Sequence, residues 1–88
     1  MKPENPNTDL VNSSIVGEVF IKPKRKYEYV IEGIKEGHWE IDSKYPVTYT
    51  VNPYNNRKIE LTWTVSYSGS FELKFGDCIK TIVVESLF

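Results

Sequence analysis

At 88 residues the chain is long enough for one hydrophobic core and too short for two, so it folds as one small domain of modest stability. Its 11 basic and 12 acidic residues leave a net charge of −1, which argues against a protein whose main task is coating DNA or RNA. The single cysteine, Cys78, rules out an intrachain disulfide, and no apolar run has the length of a signal sequence or a membrane span, so synthesis in the cytoplasm is expected.

Residues 1–14 read as a polar arm, because their prolines and asparagines resist both helix and sheet. From residue 15 onward no 3.6-residue apolar stripe recurs. Period-two alternation broken by turn residues recurs instead, and a 14% aromatic share favours strands. Ile15, Val16, Val19, Phe20 and Ile21 predict a first strand, with Gly17 marked as a bulge. Lys22-Pro23-Lys24-Arg25-Lys26 turns the chain into a second strand, where Tyr27, Tyr29 and Ile31 alternate with Glu28 and Glu32 up to Gly33.

Trp39 and Ile41 share one face of a third strand, opposite His38, Glu40 and Asp42. Pro46 introduces a fourth, with Val47, Tyr49 and Val51 against Thr48, Thr50 and Asn52. Pro53-Tyr54-Asn55-Asn56 is a strong turn, since proline sets φ and asparagine tolerates the left-handed region. The clearest alternation follows, with Ile59, Leu61, Trp63 and Val65 set against Glu60, Thr62, Thr64 and Ser66. Ser68-Gly69 leads into Phe71, Leu73 and Phe75, and Gly76-Asp77 into a final strand from Ile79 to Val84. About seven short strands, with turns every 8–12 residues or so, predict an all-β two-sheet sandwich over residues 15–88. A small closed barrel is the alternative.

Trp39 occupies the place on a third strand where immunoglobulin-like sandwiches set a core tryptophan. The stretch Gly69-Ser70-Phe71-Glu72-Leu73-Lys74-Phe75-Gly76-Asp77, with Lys80-Thr81-Ile82-Val83-Val84, resembles the closing hairpin of PKD-type immunoglobulin-like domains. The resemblance covers residues 15–86. It departs from the family in lacking the Gly-Asp-Gly turn after the tryptophan strand, and from antibody domains in lacking paired cysteines. It implies a seven-stranded immunoglobulin-like fold. The setting it implies is either a repeat within a secreted protein or a module on a phage virion. The ending Lys80 to Phe88 is also similar to that of small structural proteins of phages.

Residues with chemistry to offer are few. His38, Glu40 and Asp42 alternate at roughly 7 Å intervals, too far apart for one compact metal site, so a solvated outer face outweighs a ligand set. Cys78 has no base near it in sequence and reads as a half-buried thiol at a strand start. Ser66, Ser68 and Ser70 surround Gly69 without a nucleophile elbow and read as turn formers. No catalytic or metal residue and no cofactor is assigned, and an enzyme is not expected.

The candidate partner-binding residues are Lys22, Lys24, Arg25 and Lys26 in the basic turn, the tyrosines Tyr45, Tyr54 and Tyr67 at turns, and the apolar terminal pair Leu87 and Phe88. Tyrosine offers rigid contact area at low entropy cost, and the cations suit an acidic patch or phosphates. A solvated turn and simple strand-end packing remain the alternatives for these two groups. The expected function is a non-enzymatic virion structural protein: a small decoration or adaptor domain held to a capsid or tail partner by the arm, basic turn and C-terminus. No specific nucleic acid and no membrane enter that expectation. The alternative is a carbohydrate- or receptor-binding module of a larger extracellular protein.

Overall fold

The computed structural model describes residues 13–33 and 36–86. They form eight β-strands and no helix: β1 (Ser14–Val16), β2 (Phe20–Ile21), β3 (Lys26–Glu32), β4 (Trp39–Asp42), β5 (Val47–Val51), β6 (Lys58–Trp63), β7 (Gly69–Phe75) and β8 (Cys78–Val84). Two four-stranded sheets result, in the orders β1-β3-β6-β5 and β2-β8-β7-β4. Every pairing is antiparallel except that of β2 with β8. No ladder joins the two sheets among the described residues, so the arrangement is not a closed barrel.

Alternation decides which side chains meet between the sheets. In β6, Ile59, Leu61 and Trp63 are buried, and in β7, Phe71, Leu73 and Phe75 are. Successive side chains of a strand point to opposite faces, so the residues between them look outward. Tyr29 and Ile31 of β3 and Ile82 and Val84 of β8 complete the middle of a single core shared by both sheets. Trp63 is fully buried and stacks on Phe71 of the facing sheet at 5.7 Å between centroids. Taking a side chain of that size out of water supplies roughly 5 kcal/mol of gross driving force.

The structure corrects the strand count from seven to eight. The expected first strand is two strands in different sheets, because the chain crosses between sheets from Val16 to Phe20. Gly17 lies at this crossing with φ +157°, and a Cβ there would collide with the ring of Tyr29. A bulge would have kept both halves in one ladder. The packed structure also begins earlier than the expected boundary, since Ser13 is buried and Ser14 opens β1. The rest of the predicted arm, residues 1–12, lies outside the described residues.

The topology sets two ends. Gly33, residues 36–38 and the turns 52–57 and 76–77 lie at one, where the Trp39 indole donates to the Asn56 carbonyl at 2.7 Å. Turns 22–25, 43–46 and 64–68 lie at the other, together with Glu85 and Ser86.

Candidate functional site

The second end gathers most of the basic and aromatic candidates. Lys24 N–H donates to the Trp63 carbonyl at 2.8 Å, which fastens the basic turn to the end of β6. The Thr64 amide and hydroxyl both donate to the Pro46 carbonyl, at 3.3 and 2.8 Å, which fastens the 43–46 turn to the same place. Three turns far apart in sequence therefore share one surface.

Aromatic contacts carry the core out to that surface. Trp63 meets Tyr45 edge-on at 5.6 Å, and Tyr45 meets Tyr67 at 5.6 Å. The Trp63 indole donates to the Tyr67 carbonyl at 2.9 Å. Tyr45 is thus half-buried against the core, while Tyr67 remains 63% exposed. Contact with a fully buried tryptophan orders the Tyr45 ring, against which the Tyr67 ring leans, and ordering a contact side chain in advance lowers the entropy cost of binding.

The three turns of this end carry one sign of charge, and Glu85, just after β8, is an acid beside them. None of the turns 22–25, 43–46 and 64–68 contains an acidic residue, and they carry Lys22, Lys24, Arg25 and Lys44, with Lys26 opening β3 beside them. Lys22 is engaged locally, with its ammonium 3.3 Å from Glu85 and 3.4 Å from the Ser86 carbonyl. Both partners of that ion pair are well exposed, so it contributes little stability. No carboxylate among the described residues pairs with Lys24, Arg25 or Lys26. Lys44 was missed from sequence. Its ammonium lies 5.7 Å from the centre of the Tyr45 ring, and its place between a predicted strand and Tyr45-Pro46 was the available signal.

Lys24 is also conformationally unusual. Its φ is +67°, the one positive value at a residue other than glycine among the described residues. Proline at the first central position of a turn and positive φ at the second is the type II pattern, which favours glycine or asparagine at that second place. A lysine held there at a cost in backbone energy points to a use for its side chain.

The other candidates fall elsewhere. Tyr54 is 96% exposed, but it sits in the 52–57 turn at the opposite end, so the three tyrosines do not share one platform. Leu87 and Phe88 lie outside the described residues. The chain reaches Ser86 beside Lys22, at the basic end. His38 precedes β4 and lines an open cleft of about 570 Å³ with Glu36, Gly37, Asn56, Arg57 and Phe75. One Arg57 nitrogen there is taken by the Gly33 carbonyl at 2.8 Å.

Glu40 and Asp42 are exposed on the outer face of β4, where Asp42 approaches Lys74 at 3.9 Å. Cys78 is partly buried at the start of β8, with its thiol 3.5 Å from the Ser13 carbonyl. Among the described residues no set of three His, Cys, Asp or Glu side chains is placed to hold a metal, and no helix is long and apolar enough to cross a membrane.

No family model, curated protein or solved structure matches the chain. What the surface can do therefore rests on its own chemistry. An aromatic pair with Lys44 beside it, on an end rich in cations, suits a negatively charged partner, to which it offers steering by charge and contact area at Tyr67.

Proposed function

We propose that the chain is a non-enzymatic binding module of immunoglobulin-like architecture that docks an acidic protein surface against its basic and aromatic end. The convergence of Lys24, Arg25, Lys26, Lys44, Tyr45 and Tyr67 on one end carries this reading. The backbone strain at Lys24 adds to it.

Strand order supports the architectural part. Immunoglobulin constant-type domains place their first, second, fifth and fourth strands in one sheet and their third, sixth and seventh in the other. Once β1 and β2 are counted as one strand divided between sheets, the same order emerges here. The hairpin of β7 and β8, turning at residues 76–77, spans the stretch that resembles PKD-type domains. In the setting that resemblance implies, the partner is a capsid or tail protein and the module a decoration or adaptor, with many weak copies on a symmetric lattice binding through avidity.

The test is cosedimentation with virions and with isolated capsid and tail fractions from the source of the chain. The comparison variant is Lys24→Glu/Arg25→Glu/Lys26→Glu, which changes only exposed side chains. Wild type should pellet, less so as salt rises, and the variant should stay in solution. Pelleting of the variant would remove the basic end from the reading. Failure of the wild type to pellet would remove the virion setting.

A further inference from the structure

The edge strand β5 is self-complementary in sequence. Its residues are Val47-Thr48-Tyr49-Thr50-Val51, which read the same in both directions and carry no charge, glycine or proline. Among the described residues β5 pairs with β6 alone and so forms one edge of its sheet.

The other three edges are defended. β1 and β2 have only three and two residues, and β4 carries the exposed acids Glu40 and Asp42. Short or charged strands are the usual protection against edge-to-edge pairing. β5 has neither.

Hydrogen-bond phase shows which groups are offered. Asn52 N–H donates to Lys58 O, and Thr64 N–H donates to Pro46 O, so the even-numbered residues of this strand face β6. In an antiparallel ladder this alternates, and Val47, Tyr49 and Val51 therefore turn their N–H and C=O groups to the open side. Pro46 does not block that side, because its missing N–H falls on the β6 side.

We propose that two copies of this chain associate through antiparallel β5 strands about a two-fold axis at Tyr49, joining their sheets into one eight-stranded sheet. Tyr49 pairs with Tyr49 of the second copy in mutual hydrogen bonds, and Val47 does so with Val51 in each direction. Facing residues lie on the same side of a sheet, so the tyrosines meet on the side that Leu61 shares, where Tyr49 is 55% exposed in the single chain. Thr48 meets Thr50 on the outer side. Aromatic and threonine cross-strand pairs are favourable, and the palindrome supplies both without opposing like charges. Such an interface is isologous and closes at two copies. A five-residue edge buries less than a tight dimer needs, so association is weak and concentration-dependent.

The test is sedimentation equilibrium with amide hydrogen exchange across protein concentration, on wild type and two variants at exposed positions. Thr48→Lys/Thr50→Lys places like charges opposite each other and should weaken dimerisation roughly tenfold. Thr48→Glu/Thr50→Lys places opposite charges there and should strengthen it by about as much. In wild type, protection of the Val47, Tyr49 and Val51 amides should rise with concentration. A chain still monomeric at about 1 mM overturns the proposal. So does association that ignores both variants, or amide protection independent of concentration, which would mean that another segment or a foreign strand occupies the edge.

Discussion

The Tyr29 hydroxyl donates a 2.6 Å hydrogen bond to the Glu18 carbonyl, pinning the chain where it passes from one sheet to the other. Tyr29 is itself fully buried in β3, so the crossing is fastened to the middle of the core. The ring fills the space beside Gly17, and the hydroxyl takes the carbonyl of the next residue. One side chain thus both requires the glycine and satisfies the backbone that follows it.

Gly17→Ala should therefore destabilise the fold by about 2–4 kcal/mol, because the new methyl group meets a rigid aromatic wall. Urea unfolding monitored by tryptophan fluorescence checks this. A loss below about 0.5 kcal/mol would mean that the crossing relaxes freely and is not held by Tyr29.

Tyr29 also predicts a loss of stability at alkaline pH. Burial, with Tyr27 and the Glu18 carboxylate adding to it, raises the Tyr29 phenol well above its ordinary value of 10.0. The neutral form is the one the fold binds, so its contribution is complete below pH 10 or so and declines as pH rises beyond that, where only the unfolded chain ionises readily. Tyr29→Phe should cost about 1 kcal/mol at neutral pH through the lost hydrogen bond, and should fall less steeply between about pH 9 and 11. Parallel curves for the two proteins would show that Tyr29 does not set the alkaline limit.

Lys24→Gly should separate folding from binding. Glycine relieves the positive φ but adds freedom to the unfolded chain, for a net gain of about 0.5 kcal/mol. Partner binding should weaken at the same time, and its salt dependence should become shallower. Thermal unfolding and binding isotherms at two salt concentrations measure both. A variant that binds as tightly as wild type would leave the strained lysine without a purpose.

Much of the core was legible in the residues. Ile59, Leu61 and Trp63, and likewise Phe71, Leu73 and Phe75, alternate strictly with polar neighbours, and all six are buried. Alternation is a property of each strand alone, so it survives without knowledge of what the strand faces. The proline and asparagine turns were legible for the same reason, because φ preferences are local.

Long-range pairing was not legible in this way. Ile15 and Ile21 are both buried and both suit one strand, yet they lie in opposite sheets, and only the approach of Tyr29 to Gly17 accounts for the break. Lys24, Lys44 and Tyr67 are distant in sequence, and the backbone bonds from Lys24 to Trp63 and from Thr64 to Pro46 bring their turns together. Tyr54 has the same composition-level credentials as Tyr67 and ends on the other side of the molecule. By itself, then, the sequence determined the strand class, the buried faces and a basic turn, because these follow from neighbours along the chain. The tertiary structure decided which turns share a surface and which strands end the sheets among the described residues, because both depend on how distant strands register against one another.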